Sequence, residues 1–150
     1  MKILLTTLNA KYIHSSLALR CLQAYCREDY PDIIIQEYTI NDPLDQIVTG
    51  LVEQQPDLLC FSCYIWNIRQ TLDVIDTIKK VLPECIILLG GPEVSYDGQD
   101  MMKKNQLIDF IAEGEGEQTV KELLDCLSQN REPDEVKGLV WRKEGVVIYN

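Results

Sequence analysis

Five short apolar runs recur along the chain, at residues 3–6, 33–38, 58–63, 85–89 and 108–112, and segments of helical period separate them. The runs are rich in Ile, Leu and Phe and show little polar alternation, the pattern of strands covered on both faces. Strands of that kind need helices on each side, and strand–helix alternation brings right-handed crossovers. The constraint points to an α/β fold: a doubly wound, five-stranded parallel sheet of flavodoxin-like or Rossmann-like form. Ligands on such sheets bind beyond the carboxyl ends of the strands, at the point where the strand order reverses. The segments to inspect are therefore 8–14, 64–67, 90–95 and 113–117.

The intervening stripes read as helices. Ser15 or Ser16 can cap a helix whose inward face carries Leu17, Ala18, Cys21, Leu22 and Tyr25. Asp42 and Pro43 supply an N-cap and a first-turn proline for Leu44, Ile47, Val48, Leu51 and Val52. Ile68, Leu72, Ile75, Ile78 and Leu82 form a stripe ended by Pro83, and Val120, Leu123, Leu124 and Leu127 form another. A short helix is expected around residues 99–104. Beyond a polar stretch at 128–135, Gly138 to Arg142 and Val146 to Tyr149 flank Lys143-Glu144-Gly145, a β-hairpin signal. This divides the chain into an α/β domain at 1–130 and, at 131–150, a linker and hairpin appendage that leads elsewhere.

Charge narrows the ligand classes. With 24 acidic and 14 basic residues the formal charge is −10, and no basic cluster breaks the surplus. Nucleic acid and anionic membrane surfaces are disfavoured as partners, because both require a local excess of Lys and Arg. The apolar run after Met1 is too short for a signal-peptide core, so a cytoplasmic protein is expected. The six cysteines lie in apolar segments and read as small buried hydrophobes in a reducing compartment. Cys60 and Cys63 form C-x-x-C, but on a strand side chains three apart face opposite sides, which suits neither a redox pair nor a metal site.

The strand-end loops hold the candidate site. Gly90-Gly91-Pro92-Glu93 follows a strand at once; its glycines either admit a ligand close to the backbone or simply make a tight turn. Glu113-Gly114-Glu115-Gly116-Glu117 opens a helix with G-x-G, yet position 119 is Thr and three carboxylates crowd the helix start. That departs from a dinucleotide fingerprint and disfavours phosphate, while carboxylates suit a ligand rich in amide or hydroxyl donors. First-turn glutamates also stabilise a helix dipole with no ligand at all. The first loop carries Asn9, Tyr12 and the sole histidine, His14, which reads as a cobalt or other metal ligand, a phosphate contact or a polar residue preceding a helix. Ser62, Tyr64, Trp66 and Asn67 gather at the end of the third strand, where a Trp face can receive a planar ligand or pack beneath a loop. The acidic residues of a receiver domain, the hydroxyl-rich loop of a flavodoxin and the G-x-S-x-G of a serine hydrolase are all missing.

Three blocks carry a resemblance to a known family: Asn9 to Leu19 (N-A-K-Y-I-H-S-S-L-A-L), Leu89 to Ser95 (L-G-G-P-E-V-S) and Asp109 to Thr119 (D-F-I-A-E-G-E-G-E-Q-T). Together they resemble the N-terminal cobalamin-binding domain of cobalamin-dependent radical S-adenosylmethionine enzymes. The likeness is to the anaerobic magnesium-protoporphyrin IX monomethyl ester cyclase-like branch, also labelled Fe–S oxidoreductases. The resemblance implies a sheet of cobalamin-binding type, with cobalamin across its carboxyl edge and the nucleotide tail inserted beside the strands. It implies cofactor contacts from Asn9, Tyr12, His14, Ser62, Tyr64, Trp66, Asn67, Gly90, Gly91, Pro92, Glu93, Gly114, Glu115, Gly116 and Glu117. It further implies S-adenosylmethionine and a [4Fe-4S] cluster in a downstream radical barrel domain, and methyl transfer or oxidative cyclisation by the whole protein. The D-x-H-x-x-G of methionine-synthase-type domains is absent, so histidine ligation of cobalt is not implied. The C-x-x-x-C-x-x-C that would hold the cluster is absent from these residues too, so this chain alone would not perform the radical chemistry. Two further readings stand beside this one: a cofactor-free docking or scaffold domain, and a small-nucleotide-binding domain.

Overall fold

The computed structural model describes residues 1–150. Strands and helices alternate: β1 (Ile3–Asn9), α1 (Leu17–Cys26), β2 (Ile34–Thr39), α2 (Leu44–Glu53), β3 (Leu58–Ser62), α3 (Ile68–Val81), β4 (Ile86–Gly90), α4 (Gly98–Lys104), β5 (Phe110–Ala112) and α5 (Gly116–Ser128). The hairpin strands β6 (Leu139–Lys143) and β7 (Val146–Tyr149) follow. All belong to one sheet of order β2-β1-β3-β4-β5-β6-β7. The first five strands pair in parallel, whereas β6 and β7 run antiparallel. The order reverses between β1 and β3, which places the switch point of a doubly wound sheet there.

Two cores result. Ile47, Leu51, Ile75 and Ile78 from α2 and α3, with Met102 of α4, cover one face. Leu19 and Cys26 of α1 and Val120, Leu123 and Leu124 of α5 cover the other. Side-chain alternation divides even the C-x-x-C between them: Cys60 joins the α1/α5 core and Cys63 the α2/α3 core. Burial pushes both thiols well above the ordinary cysteine range, so neither is a nucleophile.

Four expectations change. The hairpin is an integral part of the sheet: β6 pairs with β5 through Phe110–Trp141, Ile111–Val140 and Ala112–Leu139, and its side chains enter both cores. A three-residue β5 would otherwise leave an open edge. Glu144 and Gly145, both at positive φ, make the two-residue turn. The inward face of α1 is Leu19, Leu22 and Cys26, leaving Leu17, Tyr25 and also Cys21 exposed, the one cysteine of the six that is not buried. Strand β2 lies at the sheet edge and is only half-buried, in keeping with its Gln36 and Glu37. Asp42 does not cap α2, because its carboxylate accepts the Thr39 N–H at 2.7 Å and Pro43 takes the cap position. Ser16 does cap α1, its hydroxyl accepting from the Leu19 N–H. No helix is long and apolar enough to cross a membrane.

Candidate cofactor-binding site

On the α1/α5 face, the last inward residues of β3, β4 and β5 are Ser62, Gly90 and Ala112. Below them on the same face stand Cys60, Leu88 and Phe110. Small side chains at three adjacent strand ends leave a gap that the two helices bridge without filling. The gap is a groove of about 410 Å³, walled by Ala18, Leu19 and Leu22 of α1 and by Val120 of α5. It opens toward Tyr64, Gly91, Pro92, Ser95 and Tyr96 and the acidic start of α5.

The two glycine blocks serve different ends. Gly91 sits at φ +101°, and a Cβ there would lie 2.6 Å from the Cys63 carbonyl oxygen and 2.9 Å from its nitrogen. Its glycine is demanded by the backbone of the neighbouring loop, the tight-turn reading of that pair. At Gly114 a Cβ would meet nothing within 4 Å, and at Gly116 only Val120 Cγ2 at 3.9 Å. Gly114 stands at φ +75°, which by itself favours glycine; Gly116 carries no such demand, and both leave the groove mouth open. No side chain caps α5, so its first-turn N–H groups have no side-chain partner within the chain. Glu115 and Glu117 line the mouth. Glu113 turns away: its carboxylate accepts the Gly98 N–H at 3.1 Å, and burial raises its pKa above the ordinary value.

Of the residues singled out in the sequence, Ser62, Tyr64, Gly90, Gly91, Pro92, Gly114, Glu115, Gly116 and Glu117 converge on the groove. Others do not. Asn67 is wholly buried; its Oδ1 accepts the Tyr64 N–H at 2.8 Å, and its Nδ2 donates to Leu8 O, Ser62 O and Thr7 Oγ1 at 3.1, 3.1 and 3.3 Å. It ties β1 to β3 at the switch point and has nothing left for a ligand. Asn9 donates to Glu37 at 2.7 Å, and Glu93 is held beside Cys63 through its own N–H. Tyr12 is 90% exposed, and His14 is also exposed; neither borders the groove. Trp66 stacks on Tyr64, ring centroids 4.5 Å apart and 7° from parallel, and so extends the rim from outside. Sequence reasoning missed the α1 wall, Tyr96 and Val120, while Ser95 closes a segment it had marked for inspection. The shared face of α1 and α5 would have revealed the walls, but it depends on strand order.

A doubly wound α/β domain with an open-mouthed groove at the carboxyl edge, apolar within and acidic at the rim, is the class this fold and site define. The B12 binding domain family matches residues 3–124, and the chain belongs to that family. It is 31% identical over 120 residues to the cobalamin-dependent radical SAM methyltransferase TokK of Streptomyces tokunonensis, covering 76% of this chain and 17% of that protein. It is 35% identical over 71 residues to the anaerobic magnesium-protoporphyrin IX monomethyl ester cyclase of Synechocystis sp., covering 47% of this chain and 14% of the cyclase. The radical S-adenosylmethionine methyltransferase TsrM of Kitasatospora setae, solved with cobalamin and a [4Fe-4S] cluster bound, superposes with a TM-score of 0.79 at 16% identity, over 99% of this chain and 29% of TsrM. The likeness to TsrM is one of fold. This chain thus matches less than a third of each of these proteins.

Proposed function

We propose that this chain is the cobalamin-binding module of a radical S-adenosylmethionine enzyme. The single observation that carries the reading is the groove itself, kept open by Gly90, Gly114 and Gly116 on the face where Ser62 and Ala112 are also small. Ser62, Tyr64 and the α5 start would hold the cofactor, with Glu115 and Glu117 accepting hydrogen bonds from corrin side-chain amides and the groove taking the nucleotide tail. Bound cobalamin supplies a cobalt centre that can carry a methyl group or assist an oxidative step. The chain's own residues bind and orient it and shield its tail from water.

In the whole protein, S-adenosylmethionine and a [4Fe-4S] cluster belong to a radical barrel domain downstream in the same polypeptide. The reaction there is methyl transfer or oxidative cyclisation, in the cytoplasm and with neither nucleic acid nor membrane as partner. The acidic surplus supports that last reading. The hairpin, at the far edge of the sheet, leads toward the barrel. Titrating the purified chain with hydroxocobalamin tests the module's role. Saturable binding with a shifted visible spectrum is expected, and no binding by this chain or by the full-length protein would leave only a docking role.

A further inference from the structure

We propose that the groove selects corrinoids by their lower base, accepting an apolar benzimidazole and disfavouring a purine. The inference rests on the cobalamin reading above and deepens it. The inner lining is hydrocarbon: Leu19, Leu88 and Ala112 are each 2% exposed and Val120 4%, with Leu22 completing the α1 wall. None of these side chains carries a donor or acceptor. The strands beneath are paired with their neighbours, Leu88 with both Cys60 and Phe110, so their backbone groups are largely spoken for. Ser62 supplies the one hydroxyl at this depth, and it makes no hydrogen bond within the chain. The Cys60 thiol, which burial keeps protonated, is a weak donor. Stronger polar groups sit at the rim, on Glu115, Glu117, Ser95 and Tyr96.

The two common kinds of lower base differ in what they ask of such a lining. Dimethylbenzimidazole, once joined to its ribose, presents two methyl groups and a single free ring acceptor, which one hydroxyl can match. Adenine presents several ring acceptors and an exocyclic amine, most of which would enter the groove unpaired. A polar group that gives up water without a new partner is penalised, whereas methyl groups gain from the same burial.

The test is a titration of the 150-residue chain with hydroxocobalamin, with the analogue bearing adenine as lower base, and with cobinamide, which lacks the base. Binding is followed by the visible spectrum and by tryptophan fluorescence. The adeninyl corrinoid should bind at least about fivefold more weakly than hydroxocobalamin, and cobinamide should also bind more weakly. Affinities of the two base-bearing corrinoids within about fivefold of each other, or cobinamide binding as tightly as hydroxocobalamin, would overturn the selectivity and leave corrinoid binding standing. Failure of all three to bind would overturn both.

Discussion

At the scale of single residues, two kinds of group share the carboxyl edge, those that hold the edge together and those that leave it open. Asn67 and Gly91 hold it. Replacing Asn67 with Ala strands the Tyr64 N–H and the Leu8 carbonyl, while the Ser62 carbonyl keeps the Thr7 hydroxyl at 2.8 Å, in a place where no solvent reaches the side chain. We expect a loss of about 2–4 kcal/mol in urea unfolding from the buried groups left unmatched. Gly116 belongs to the other kind, since it opens α5 with space around it. Gly116→Phe should leave the unfolding midpoint close to wild type while weakening hydroxocobalamin binding by at least about tenfold, because the ring occupies the groove mouth. Gly91→Ala should do the reverse first, lowering stability through its contact with the Cys63 backbone and its positive φ. Comparing the two in one pair of assays separates a glycine that the backbone requires from one that leaves the groove mouth open. The sequence offered both as a single class of glycine, because composition does not say which neighbour approaches a Cα.

At the scale of elements, the hairpin and the α1/α5 pair decide how the site is built. Leu139 and Trp141 enter the α1/α5 core and Val140 the opposite one, so β6 completes both faces beside a very short β5. Truncation after residue 130 should therefore yield a chain that lacks a cooperative unfolding transition and exposes the β5 edge, measurable by circular dichroism and light scattering. Between the helices, Lys121 of α5 pairs with Asp125 at 2.8 Å and with Asp29 beyond α1 at 3.1 Å, while Tyr30 donates to Asp125 at 2.7 Å. Burial alone would raise the Asp125 pKa, but the hydrogen bonds from Lys121 and Tyr30 prevail and hold it below the ordinary value of 3.8. A carboxylate depressed in this way contributes stability that is complete above its unfolded-state pKa and is lost as pH falls through the lower folded-state pKa. Unfolding midpoints from pH 7 down to pH 3 should thus fall more steeply for wild type than for Asp125→Asn. The alternation of apolar runs and helical stripes made the five parallel strands and all five helices legible. Which edge the hairpin would join was not, because β5 gives little local sign of its need for a partner, and the inward face of α1 was obscured by an apolar Leu17 that in fact faces solvent.

At the scale of the molecule, the domain is a binding body whose acidic surface gathers partly at its ligand edge. Glu115 and Glu117 stand at the groove mouth, whereas Glu113 is spent on the start of α4 and Glu93 lies beside it without lining it. The carboxyl edge as the place to look followed from topology before any side chain was located, and the groove lies there. Its depth did not, since the groove is made by what is small at 62, 90 and 112 together, and those positions become neighbours only when β3, β4 and β5 align. The central claim is that this groove holds cobalamin through residues of this chain alone. Equilibrium titration of hydroxocobalamin into the 150-residue chain, run beside Gly116→Phe, tests it most directly. One saturable site on the wild type, lost or much weakened in the variant, is the predicted result. Wild type and variant binding equally well, or the wild type not binding at all, would contradict it.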